Sequence, residues 1–457
     1  MKLSFAHIVS LVITMVVTLA PGIVSARRIK SADDYNVGGR RAGVGLVAGS
    51  IIGTIVGGAA TVGTAQLGFK IGLTAWWFTL GSGIALLIMA FFYAVPLRRS
   101  GLTTVSEYLV INYGSAAGWL ASISSSAGIF FSVVASTLTT LFLVSGLFGL
   151  TLPVAAVLVI AIVAGFVFFG GISSSGMAGI FKIILIFATI FVGGLGAYNT
   201  LGRWDGITEI FPAYPWFSLF GRGIEDGLFS IASMIVGVVS TQSYIQSIFS
   251  AKDSRTAAAG CIAAALVVIP VGLPSVMIGM FMHQHHPGIP SIEALPFYLL
   301  HYLPDWLGGI GIAAILLSAL GSIAGLSLGI GTMISRDIVK NLWRSAGSAE
   351  LLWVSRVSVL TVTVGAMLFV LFNLDSSVLE WNYLSMALRG SGIFLPMTFA
   401  VFFHGKIHSG LGVTAIAAGI VSACLWKFLP WQGNGLFAAL ACNLLFLLPA
   451  IVCGRKN

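Results

Sequence analysis

Apolar stretches of about 20 residues follow one another along the whole chain, separated by short polar links, and each could cross roughly 30 Å of hydrocarbon as a helix. The pattern predicts thirteen spans, at roughly 4–26, 42–66, 74–97, 113–149, 152–170, 177–200, 227–250, 257–283, 306–335, 351–373, 380–404, 410–428 and 434–453. The links leave no room for a soluble unit. Residues 1–457 are therefore expected to form a single all-α transmembrane domain.

Two of these spans are interrupted. Span two runs into "GTIVGGAATVGTAQLGFKIG", Gly53 to Gly72, and span seven carries "GVVSTQS", Gly237 to Ser243. Glycine and small hydroxyl residues weaken a helix, and unwound backbone is tolerated in a membrane only where it lines a cavity or is buried in protein. With span one (4–26) and the last two (410–453) set aside, ten spans remain and divide into 42–200 and 227–404. An odd number of crossings per half inverts the second half relative to the first. Paired interruptions in corresponding spans of inverted halves point to a carrier's binding site near the bilayer midplane. The competing reading is that such glycines only let helices pack closely.

Composition agrees: 58% of the 457 residues are hydrophobic and 8% charged, with mean hydropathy +1.02. The net charge of +9 does not point to nucleic acid, because the basic residues gather on alternate loops. With the N-terminus outside, the inner loops receive Arg27, Arg28, Lys30, Arg40, Arg41, Arg98, Arg99, Lys182, Lys252, Arg255, Arg336, Lys340, Arg344, Arg356, Lys406, Arg455 and Lys456. The outer side keeps Lys2, Lys70, Arg203, Arg222 and Lys427. By the positive-inside rule the N-terminus is expected outside and the C-terminus in the cytoplasm of a cell membrane. Residues 1–26 resemble a secretory signal, but cleavage there would export "RRIK" and reverse every later loop, so the segment is read as a span. Cys261, Cys424, Cys442 and Cys453 lie in or beside spans, without disulfide or metal-ligand spacing.

A series of local patterns resembles the sodium:solute symporter family, whose members have the LeuT-type five-plus-five inverted-repeat fold. They are "SADDYNVGGR" before span two, "GTAQLGFKIGLTAWW" after its break, "PLRRSGLTTVSEYLVINYG" after span three, "FSAKDSRTA" after span seven and "SRDIVK" closing span nine. The resemblance implies sodium as coupling ion, held by carbonyls of span two and by a carbonyl and two hydroxyls of span nine. The matching positions are Gly53 and Val56 on span two and Ser318, Gly321 and Ser322 on span nine. Gly321 stands where the family has Ser or Thr. A second departure is "GMAGIFKIILI", which puts Lys182 where the family often has Thr-Asp. An ammonium there could stand in for the cation and make transport sodium-independent or proton-linked. Alternatively, Lys182 snorkels to the interface from the end of its span.

For the solute, the breaks offer Gly57, Gly58, Thr61, Gln66, Ser240, Thr241 and Gln242, and half-helix N-termini favour anions. Arg389, in "WNYLSMALRGSGIFLP", lies well inside span eleven, where a charge needs a cavity or a partner. It reads either as a carboxylate clamp or as a clasp onto Glu380 or onto carbonyls freed near Gly390 and Gly392. A carboxylate-bearing solute, such as a monocarboxylate or amino acid, follows from the first reading. A sugar remains open, because the hydroxyls suit it equally.

All fourteen acidic residues are expected in loops or at span ends, and the seven histidines, His7, His283, His285, His286, His301, His404 and His408, likewise. That leaves no buried carboxylate as a proton carrier, and neutral oxygens suit sodium. "HQHH", His283 to His286, invites zinc or copper but reads better as a solvated loop. Without a constellation of nucleophile, base and orienting group, the chain is not read as an enzyme, and inverted halves argue against a channel filter. A solute-sensing receptor is the rival of another class. The expected protein is a sodium-coupled symporter that uses no organic cofactor or transition metal, binds no nucleic acid and shows no obligate protein partner.

Overall fold

The computed structural model describes residues 3–26, 31–426 and 435–452. Cys453 and the charges at Lys2, Arg27, Arg28, Lys30, Lys427, Arg455 and Lys456 lie outside the described residues. The architecture is entirely helical among those residues, apart from one isolated parallel bridge between Ala42 and Ala251. Seven helices long and apolar enough to cross a membrane, one bent pair and five shorter apolar helices follow the expected spans in order. The principal helices are α1 (Phe5–Ala26), α2 (Val44–Ile55), α3 (Thr64–Ile71), α4 (Trp77–Ile88), α5 (Ser115–Phe148), α6 (Leu152–Ile186) and α7 (Ile224–Val239). They continue with α8 (Gln242–Ser250), α9 (Ser254–His285), α10 (Asp305–Met333), α11 (Ser348–Leu371), α12 (Val378–Phe402), α13 (Ser409–Trp426) and α14 (Gly435–Val452).

Both expected interruptions are real. Span two stops at Ile55, turns through Val56, Gly57 and Gly58, and resumes as a π-turn over Ala59–Gly63 before α3. Span seven breaks at Ser240 and Thr241, and its halves are bent by 43°. Spans five and six are joined without a loop: the link 171–176 is itself helical, and α6 runs through it for 35 residues. At 1.5 Å per residue this is about 52 Å, well beyond one hydrocarbon thickness. No proline in that stretch of sequence forces a stop.

Helix α10 lies at the centre, with 89% of its most apolar window buried, whereas α11 on the periphery has 33% of its window buried. The sequence explains this difference. Helix α10 is apolar on every side and rich in small residues, which suits a helix surrounded by protein. Large apolar side chains such as Phe91, Leu195, Leu266 and Leu368 remain exposed on the outside, as a lipid-facing surface requires.

Candidate ion and solute site

The break in span two leaves the last carbonyls of α2 without helical partners. They are oriented toward α10 and α6. Ser318 Oγ donates to Val56 O at 2.5 Å, and Ser322 Oγ donates to Thr54 O at 2.6 Å. Lys182 Nζ donates to Gly53 O at 2.7 Å and to Ser318 O at 3.2 Å. All five residues expected around a cation, Gly53, Val56, Ser318, Gly321 and Ser322, therefore converge, and an ammonium stands among them. Lys182 is 2% exposed, which overturns the snorkelling reading. Its helix comes close enough because Gly179 lies against α2, where an added Cβ would fall 1.9 Å from Gly49 O. Gly321 faces the same cluster: a Cβ there would lie at ordinary contact distance, 3.4 Å from Gly53 O and 3.6 Å from Lys182 Nζ. The C-terminal end of a half-helix carries partial negative charge, so this location favours a cation, whether a metal ion or an ammonium.

The glycines of the break serve close contact. A Cβ at Gly57 would fall 2.2 Å from Ser322 Oγ, and one at Gly58 would fall 2.5 Å from Thr139 Oγ1. The hydroxyls of the breaks bond their own helices: Thr61 to Gly57 O at 3.0 Å, Ser240 to Val236 O at 2.7 Å and Thr241 to Gly237 O at 2.6 Å. Gln66 Oε1 lies 3.4 Å from Val378 N. Gln242 reaches away from the break, accepting from Val105 N at 2.9 Å and donating to Thr103 O at 3.1 Å.

Arg389 is fully buried between α5, α12 and the break in span seven. Its Nη1 donates to Thr241 Oγ1 at 2.9 Å, and its Nη2 to Ser132 Oγ at 2.8 Å and Ser385 Oγ at 3.0 Å, with Met386 Sδ also at 3.0 Å. The expected clasp onto carbonyls or Glu380 is replaced by hydroxyls from three elements. Ser385 in turn bonds Gly128 O. Arg389 Nε has no hydrogen-bond partner. Among the described residues, no carboxylate lies within ion-pair distance of Lys182 or Arg389.

Sequence reasoning missed two features here. The Ser132–Ser385 hydroxyl pair that holds Arg389 had only the serine content of its spans as a signal. Asp337, expected at a span end, is 6% exposed, so the expectation of no buried carboxylate fails. It accepts from Thr104 Oγ1 and Ser122 Oγ, each at 2.7 Å. It is enclosed by α5 and by Thr104 of the link between spans three and four. The histidine run is also more structured than expected: His283 packs between Phe69 and Trp216, and His286 Nε2 lies 2.7 Å from Tyr302 OH.

Two broken spans, packed about central unbroken helices and holding polar groups at their breaks, define a polytopic membrane carrier. The residue pattern of the sodium:solute symporter family matches residues 35–411, and the chain belongs to that family. Its fold is the LeuT-type inverted repeat with one extra N-terminal and two extra C-terminal helices, and it is a transporter, not an enzyme. The structure resembles that of a Na+-coupled sialic acid symporter in a substrate-bound outward-open state, with a TM-score of 0.83, 18% identity, and coverage of 99% of this chain and 97% of the other. The chain is 24% identical over 425 residues to the high affinity choline transporter 1 of Homo sapiens, covering 87% of this chain and 73% of the relative. The Drosophila melanogaster counterpart is 24% identical over 400 residues, covering 81% of this chain and 62% of the relative. The sodium/proline symporter of Escherichia coli K12 is 24% identical over 445 residues, covering 90% and 86%.

Proposed function

We propose that this transporter carries a small organic anion or zwitterion, a monocarboxylate or amino acid, with the Lys182 ammonium taking the coupling ion's place in a sodium-independent or proton-linked cycle. The carrying observation is the ammonium itself, which lies 2.7 Å from Gly53 O and 3.2 Å from Ser318 O. These are two of the oxygens that the family resemblance assigns to sodium. Two buried cations without a carboxylate partner leave the interior electropositive, and Arg389 adds its charge to the positive N-terminal end of α8. A carboxylate entering beside Arg389 and Thr241 would be stabilised there. A quaternary ammonium such as choline would be repelled. Of the expected solute-binding groups, Arg389, Thr241 and Ser240 then serve the solute, while Gly57, Gly58, Thr61 and Gln66 shape the wall beside it.

Residues 42–200 and 227–404 form the two repeats, with 410–453 outside them. The basic loops face the cytoplasm and the N-terminus lies outside. Alternating access follows from rocking one bundle about the central helices. Sodium-coupled symport is the second reading, supported by family membership and by the retained oxygens of Val56, Ser318 and Ser322. Proteoliposome uptake of proline, pyruvate and acetate, with sodium or potassium outside, separates the two. Uptake indifferent to sodium supports the ammonium reading; uptake that requires sodium overturns it and restores sodium coupling. A protein that binds one of these solutes without flux is a receptor.

A further inference from the structure

The link between spans three and four is fastened from two directions on the face that carries Arg98, Lys252 and Arg336. It contains the short helix Val105–Tyr113, which begins with a reciprocal cap: Thr104 Oγ1 accepts from Glu107 N at 3.0 Å, and Glu107 Oε2 accepts from Thr103 N at 2.7 Å. Asp337, from the end of span nine, then accepts from Thr104 Oγ1 and from Ser122 Oγ of α5. From the other side, the Gln242 amide clamps the same turn through Val105 N and Thr103 O. Gln242 is fully buried. It is the residue after Thr241, whose hydroxyl receives Arg389 Nη1 at 2.9 Å.

We propose that the Leu102–Tyr113 segment is the gate on this face, and that Gln242 is a positioning residue tying the gate to the solute site through its neighbour Thr241. The inference rests on the alternating-access reading and on neither the coupling ion nor the solute. A carboxamide holding one N–H and one C=O of the same turn fixes both distance and orientation, so it cannot follow a large shift of the span-seven break and keep both bonds. A change at Arg389 and Thr241 that re-aims the break therefore releases the segment on one side and leaves Asp337 as the remaining clamp. Sequence position contributes as much as geometry: adjacent residues at a break move together, because no helical ladder lets one shift without the other.

The test is hydrogen–deuterium exchange of the purified full chain, read at the amides of residues 102–107. Gln242→Ala is expected to raise exchange there about tenfold, the equivalent of losing a buried bond and its pairing. Gln242→Glu keeps the acceptor for Val105 N and loses the donor to Thr103 O, so it falls between. Thr241→Val, which leaves Gln242 in place but removes the acceptor of Arg389, also raises exchange at 102–107, whereas Thr241→Ser stays at the wild-type rate. Unchanged exchange in Gln242→Ala overturns the clamp. An equal rise along α5 in any of these variants indicates general loss of packing and overturns the proposal. A rise in Gln242→Ala with none in Thr241→Val overturns the link to the solute site. None of these readings depends on sodium or on the transported solute, so they stand apart from the uptake experiment.

Discussion

The two broken spans occupy corresponding places in inverted halves, yet they put unwinding to opposite uses. At the span-two break the freed groups are carbonyls at the C-terminal end of α2, and they gather hydrogen-bond donors: Ser318, Ser322 and the Lys182 ammonium. At the span-seven break the hydroxyls turn back onto their own helix, the nearest charge is Arg389, and the following side chain reaches out to a loop. One break is built to hold positive charge. The other carries positive charge at the start of a half-helix. The same backbone device gives either result, depending on which end of a half-helix faces the site.

The largest test of this contrast is Arg389→Ala. It leaves three hydroxyls without their donor and a cavity at the bundle centre, so a loss of about 3 kcal/mol or more is expected, together with loss of carboxylate uptake. Thermal unfolding and proteoliposome flux read the two effects. Arg389→Lys keeps the charge, but one ammonium cannot span Thr241 and the Ser132–Ser385 pair as the planar fork does. Uptake should be lost in that variant with a smaller drop in stability.

Next is Lys182→Ala, which removes the positive charge from the first break. Sodium, but not potassium, should then stabilise the protein, by about 2.7 kcal/mol at a hundred times its Kd. Adding Gly321→Ser supplies the missing hydroxyl and should tighten sodium about tenfold. If sodium stabilises the wild type as strongly as Lys182→Ala, the two breaks do not differ in the way described.

Gly179→Ala sharpens the comparison at a distance. Its methyl group meets Gly49 O and the Gly53 backbone, so α6 must withdraw from α2 at a cost of about 1–3 kcal/mol. The Lys182 ammonium should then lose Gly53 O and sodium sensitivity should appear, while Arg389 is untouched. A Gly179→Ala protein with wild-type unfolding temperature would show that the helix approach is slack.

The smallest expected effect lies outside both breaks, at Asp253, which caps α9. The backbone N–H of Thr256 holds its carboxyl below the usual carboxylate range. A depressed folded value means that the cap contributes fully near neutral pH and loses its contribution as the pH falls through that value. Asp253→Ala should therefore lower the unfolding temperature slightly, by about a degree near neutral pH, and the gap to wild type should close as the pH falls below the ordinary carboxylate range. A gap that widens on acidification would contradict this sign.

The sequence by itself determined the membrane class, the sequence of spans and both breaks, and its family resemblance named the residues that converge at the first of them. Apolar length, glycine density and a local motif series are properties of contiguous residues, and contiguous residues are what a sequence displays. It also carried the anomaly of Lys182 and Gly321 as two separate departures from a family pattern. Only the tertiary structure made them one feature, by bringing α6 against α2 at Gly179 so that Lys182 Nζ bonds Gly53 O and Ser318 O beside Gly321. The roles of Arg389, Gln242 and Asp337 were likewise decided by packing. Their partners, Ser132, Thr103, Val105, Thr104 and Ser122, lie over a hundred residues away in the chain, where no periodicity or spacing connects them. A hydrogen bond requires two groups at about 3 Å, and for residues so far apart in sequence only the fold sets that distance.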